Sequence, residues 1–216
     1  MNDGLSRRTV VRTAAVVTAM TAAGLASGPT AASAAETGPS GQKTAPKRPD
    51  TTPNGWPVQQ NADRDTQVWT RAVAGTGLDV PVWIGDPEAI LLHVVRRYHY
   101  EVTEIRSGEL VGWQKVNEPE LRTPQANLAS GTAVRIRPGA SAPGSLFPLE
   151  KAMVRDIVTD CAGVVRWGGD DSPADESLFY LAAGPKDPRV RKLADWLRDG
   201  EASPGRGAGI AIALVS

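Results

Sequence analysis

Catalytic and metal-binding chemistry needs lone pairs or transferable protons, and this 216-residue chain holds only two histidines, His93 and His99, and one cysteine, Cys161. Two histidines can share a metal or a proton when both reach one point, which on a helix takes a spacing of three or four residues. His93 and His99 are six apart, so a two-histidine site is conceivable but they read as ordinary core or surface side chains. Cys161 ends an apolar helical pattern, the setting of a buried small hydrophobe more than of a reactive thiol. Being single, it forms no intramolecular disulfide. What remains gathers in two stretches, Arg122 to Gly139 and Asp175-Glu176-Ser177-Leu178-Phe179.

The elements that must position these stretches are legible from periodicity and turn chemistry. Ala129, Ser130, Gly131 and Thr132 form a tight turn of small residues that enters a strand at Ala133, Val134 and Ile136. Thr66–Val73 and Leu78–Ile84 flank Gly75-Thr76-Gly77 as a hairpin. Asp86-Pro87 starts a helix with Asp86 as N-cap, and Ile90, Leu91, Val94, Val95 and Tyr98 carry it to His99. Glu101–Ile105 and Leu110–Trp113 read as strands about an Arg106–Glu109 turn. Pro148 opens an amphipathic helix through Leu149, Met153, Ile157 and Cys161, and Val164–Gly169 is the next strand. Asp187-Pro188 caps a last helix closed by Gly200, and Ile210–Val215 is an apolar tail able to add an edge strand.

The first stretch resembles the metal-binding strand of the zinc D-alanyl-D-alanine carboxypeptidase family of cell-wall peptidases, whose line runs approximately Asn-His-x-Ser-Gly-Thr-Ala-Ile-Asp-Ile-Arg-Pro. Asn127, Ser130, Gly131, Thr132, Ala133, Ile136, Arg137 and Pro138 match it. Leu128 stands where that family has its first zinc-binding His, and Arg135 where it has the ligand Asp. In the second stretch Asp175 matches the catalytic carboxylate, and Leu178 occupies the place of the last zinc-binding His. Trp167-Gly168-Gly169, leading through the polar loop 170–174, is similar to the family's approach to that carboxylate.

The resemblance covers roughly Gly55 to Leu197. It implies an α+β fold of the Hedgehog/D,D-peptidase-like type, with a central, mainly antiparallel sheet and helices Asp86–His99, Pro148–Cys161 and Pro188–Asp199 around it. It also implies Arg106 as a counterpart of the arginine that holds the substrate's terminal carboxylate, a solvated arginine being the other reading. Catalytic zinc normally takes three protein ligands with lone pairs and keeps one position open. Leu128, Arg135 and Leu178 supply none, so Asp175 is left as a vestigial general base, and neither metal nor other cofactor is expected. Two readings stay open: a non-catalytic relative that binds cell-wall stem peptides, or an active zinc D,D-carboxypeptidase or peptidoglycan hydrolase with an unrecognised site. A carboxylate left in such a place needs a cation, so Arg135 is expected either to pair with Asp175 or Glu176 or to turn outward into solvent.

The rest of the chain bounds the setting. Arg7 and Arg8 head an apolar run from Thr13 to about Ala26, and Ala32-Ser33-Ala34 is a small-residue cleavage site. Residues 1–34 therefore read as a twin-arginine export signal and not as a lasting membrane anchor. Residues 35–53, rich in Gly, Pro, Ser and Thr, read as a disordered linker, 54–200 as the folded domain and 201–216 as its tail. Cleavage would leave 21 basic and 23 acidic side chains from the 24 of each sign in the whole chain. That balance gives no support to nucleic-acid binding.

Overall fold

The computed structural model describes residues 50–116, 122–140 and 142–203. The proposed export signal, the linker as far as residue 49 and the apolar tail at 210–215 lie outside them. The structure is α+β, with two small antiparallel sheets and three α-helices among the described residues.

A hairpin leads. β1 (Val68–Val73) pairs with β2 (Leu78–Trp83) from Val68 opposite Trp83 to Val73 opposite Leu78. Gly75 and Gly77 hold φ of 82° and 71°, which residues with a Cβ rarely adopt. α1 (Asp86–Arg97) follows, with Pro87 in its first turn. Its N-cap is Gly85 at φ 92°, one residue earlier than expected. Glu88 reaches back to accept the Gly85 N–H, while the Asp86 carboxylate pairs with Arg198 at 2.8 Å.

Beyond Arg97 the chain continues as a π-helical turn, Tyr98–Val102, and not as the strand expected over Glu101–Ile105. β-branched Val102, Thr103 and Ile105 suggest a strand locally, but Arg97 grips Glu101 through two N–H bonds of 2.7 Å, a contact that only a helical path offers. Arg97 also contacts Asp156 and Asp160, joining this turn to the C-terminal half of the helix Pro148–Asp160. Tyr98 meanwhile stacks edge-on against Phe179.

The central sheet has the order β3-β4-β6-β5, all antiparallel: β3 (Leu110–Val111), β4 (Ala133–Ile136), β5 (Val165–Trp167) and β6 (Leu178–Leu181). α2 (Pro148–Asp160) precedes β5, and α3 (Pro188–Ala202) follows β6. Asp187 caps α3 by accepting the Arg189 N–H at 2.9 Å, and the helix runs past Gly200 to Ala202. β6 carries no sequence expectation because Leu178-Phe179-Tyr180-Leu181 is buried throughout, and a run buried on both faces loses the alternation that marks a half-buried strand.

The two faces of this sheet belong to different clusters. Val134, Ile136, Val165, Trp167, Phe179 and Leu181 enter the main core with side chains of α1, α2 and α3. Ala133, Leu178 and Tyr180 face the other way, into a small cluster with Leu128, Ala126, Ala129 and Val116. No helix among the described residues is long and apolar enough to cross a membrane.

Candidate functional site

The framework residues of the first motif do structural work. A 3-10 helix, Pro124–Ser130, ends at Gly131, whose φ of 71° turns the chain into β4. A Cβ on Gly131 would lie 2.6 Å from Val68 Cγ2 and 2.9 Å from the Trp83 nitrogen, and the Gly131 carbonyl accepts the Trp83 N–H at 2.8 Å. Only glycine lets the hairpin and the motif turn approach this closely. Asn54 donates to Thr132 Oγ1 and to the Leu181 carbonyl, and the Asn54 N–H reaches Asn127 Oδ1. Thr52 Oγ1 and Ser130 Oγ lie 3.2 Å apart, and Ser130 donates to the Asn127 carbonyl. Thr52 is buried and Thr51 bridges to Pro57, so residues ahead of the expected boundary at 54 already pack into the fold.

The Trp-Gly-Gly segment fixes the acidic stretch in the same way. The Trp167 indole donates to the Glu176 carbonyl at 2.9 Å, and a Cβ on Gly169 would lie 2.2 Å from that ring. The Gly168 carbonyl accepts the N–H groups of Asp171 and Asp175. A Cβ on Gly168 would lie 2.7 Å from the Asp175 carbonyl oxygen and 3.0 Å from Leu178 Cβ.

These two supports bring together the residues singled out from sequence. Arg135 lies directly across from Leu178 in the β4–β6 ladder, and Leu178 shares its cluster with Leu128. Leu128 and Leu178 are 0% and 1% exposed. Arg135 Nη2 meets Asp175 Oδ2 at 2.8 Å, with side chains 19% and 12% exposed. Of the alternatives open in the sequence, the pairing with Asp175 is the one adopted. The other Asp175 oxygen accepts both the N–H and the hydroxyl of Ser177, at 3.1 and 2.7 Å.

Glu176, next in the chain, faces elsewhere. Its carboxylate takes the N–H groups of Gly144 and Leu146 at 2.8 Å each and Lys151 Nζ at 2.7 Å. Burial works to raise its pKa, but Lys151 and the two backbone N–H groups outweigh it and hold the carboxyl below its usual value. Glu176 thus fastens the loop ahead of α2, a role that nothing in its local sequence announces. The Arg135 Nε is buried and has no hydrogen-bond acceptor among the described residues.

The other candidates lie apart in role. Arg106 is an exposed residue of the turn before β3, its N–H bonded to Glu109. His99 accepts the Ile105 N–H on Nδ1 and so supports the chain as it leaves the π-helical turn. His93 is buried on α1, and burial, with Arg96 and Arg97 nearby, pushes its pKa down to about 4. Cys161 is buried and donates toward the Ile157 carbonyl, and burial drives its thiol up to about 12, far from a reactive thiolate. Among the described residues, no group of three or more His, Cys, Asp or Glu is arranged to hold a metal ion.

A second polar group on the same sheet face has no counterpart in the sequence reading. Tyr180 donates its hydroxyl to Asp171 Oδ2 at 2.8 Å, and Arg166 Nη2 donates to Asp171 Oδ1 at 2.9 Å. Burial and the Asp171 carboxylate push the Tyr180 phenol up to about 12. No family model matches the chain, and no curated protein or solved structure matches it either.

Proposed function

We propose that this chain is an exported, non-catalytic relative of the zinc D-alanyl-D-alanine carboxypeptidases, built on the fold of D,D-peptidases and Hedgehog domains, that binds cell-wall stem peptides without cleaving them. One observation carries the reading: the Arg135–Asp175 ion pair, set beside the buried Leu128 and Leu178. In the family that the motif resembles, Asp175 would act on a water molecule polarised by zinc. Here one of its oxygens is held by a permanent cation and the other by Ser177. A carboxylate so occupied is a poor general base.

The loss of ligands at Leu128, Arg135 and Leu178 removes the lone pairs that zinc requires, and Arg135 restores the positive charge that Asp175 needs. The surviving framework of Asn127, Ser130, Gly131 and Thr132 agrees with a fold kept for its shape. The twin-arginine head and small-residue cleavage site support export in folded form, and the near balance of acidic and basic groups agrees with a neutral or zwitterionic peptide ligand.

The test uses purified full-length chain. Elemental analysis after zinc loading is expected to find no stoichiometric metal, a peptide ending in D-Ala-D-Ala is expected to survive incubation, and purified peptidoglycan is expected to retain the protein. Stoichiometric zinc together with chelator-sensitive release of D-alanine would overturn the non-catalytic reading. Failure to bind peptidoglycan would remove the stem peptide as ligand.

A further inference from the structure

The face of the central sheet turned away from the main core carries two arginines, Arg135 and Arg166. Cross-strand partners share a face, so Arg135 opposite Leu178 and Arg166 opposite Tyr180 both project to the side away from the main core. Each guanidinium is held by one oxygen of one carboxylate: Arg135 by Asp175 and Arg166 by Asp171. Each carboxylate has its other oxygen taken by a neighbour, Ser177 in the first case and Tyr180 in the second. Every oxygen of the two carboxylates already carries a hydrogen bond or ion-pair contact. A guanidinium has five N–H groups, and here the Nε of Arg135 is buried without an acceptor among the described residues, while Arg166 stays 55% exposed.

We propose that this face is a binding site for an oxyanion, a carboxylate or phosphate group that brings acceptors and no protons to the Arg135 and Arg166 forks. Asp175 and Asp171 are its positioning residues, each orienting one guanidinium from the side. Planar two-point recognition of such groups is the chemistry that guanidinium offers and ammonium does not. The two cations are matched by two anions, so no excess charge draws the ligand in. Recognition rests on hydrogen-bond complementarity, and two charge-assisted bonds of this kind correspond to a dissociation constant on the order of 1 mM. This goes beyond the non-catalytic reading, and its failure would leave that reading standing.

The test follows the Nε–H resonances of the arginines in the full-length chain while sodium acetate, inorganic phosphate or sodium chloride is added at matched ionic strength. Arg135 and Arg166 are expected to shift saturably with acetate or phosphate and not with chloride. Arg189, whose Nε and Nη2 are already bonded to Asp187, serves as the internal control and is expected to stay still. A preference for acetate assigns the ligand to carboxylates, and a preference for phosphate assigns it to phosphoryl groups. Arg166→Gln, at an exposed position, is expected to weaken binding at least about fivefold, and Arg135→Lys to weaken it despite keeping the charge. Shifts that stay linear and match those of Arg189, or unchanged affinity in Arg166→Gln, would overturn the site.

Discussion

Arg135→Ala would leave Asp175, a residue only 8% exposed, without its cation. At an effective dielectric of about 20, unit charges about 4 Å apart attract by roughly 4 kcal/mol, and truncating one partner of a buried pair typically costs about 3–5 kcal/mol. The lower end applies here, about 3 kcal/mol, because Ser177 keeps its two bonds to Asp175 and the pair touches solvent. Asp175→Asn alone retains an oxygen for Ser177 and loses the charge, a cost of about 2 kcal/mol since Arg135 then lacks its counterion. In the double variant no uncompensated charge is left. The two substitutions together are expected to cost about 2 kcal/mol less than their sum. Urea unfolding followed by tryptophan fluorescence measures all four proteins, because Trp167 lies in the core beside this stretch. Additivity within about 0.5 kcal/mol would refute the claim that Arg135 compensates Asp175.

Introducing the ligand set of the family that the motif resembles tests convergence by a different route: the triple variant Leu128→His, Arg135→Asp, Leu178→His is expected to bind zinc at one equivalent, and a folded triple variant that takes up none would show that the three positions do not meet. His93 supplies a pH dependence whose sign is fixed. Its folded pKa of about 4 lies below the unfolded value of 6.5, so between these limits the unfolded chain holds more protons and stability falls as pH falls. From pH 7 to pH 4 the loss is about 3 kcal/mol, and His93→Gln is expected to flatten the unfolding midpoint over that range by this amount; an identical pH profile in the variant would exclude His93 as the source.

How far the sequence foretold the structure depended on whether local and tertiary preferences agreed. The hairpin about Gly75-Thr76-Gly77 and the helices after Pro87, Pro148 and Pro188 carry period and turn chemistry together, and all four are present. Glu101–Ile105 was misread because its β-branched residues prefer strands, while the deciding contact, Arg97 on Glu101 with Asp156 and Asp160 behind it, reaches across to another helix. Asp86 has the right side chain for an N-cap, yet Gly85 takes that position and Asp86 pairs with Arg198 from the far end of the fold. Such exchanges are invisible to spacing.

At the site the same division between local and tertiary preference holds. Charge compensation is local arithmetic: a partly buried carboxylate needs a cation, so a pairing of Arg135 with Asp175 or Glu176 could be offered from sequence beside an outward turn into solvent, and Asp175 is the partner found. The separate duty of Glu176 could not, because its partners Gly144, Leu146 and Lys151 are brought near only by the folded loop. Asn127, Ser130, Gly131, Thr132, Gly168 and Gly169 are held by close backbone approach or by buried hydrogen bonds to other elements. Replacing any of them exposes a clash or an unpaired polar group at a typical cost of about 1–3 kcal/mol. Leu128 and Leu178 make no such polar bonds, and they add apolar burial to the small cluster on this face of the sheet. A position whose side chain only fills apolar space can change among residues of similar shape, whereas one tied to a close backbone approach or a buried polar bond cannot, so the turn and glycine positions of these two stretches are their more legible part.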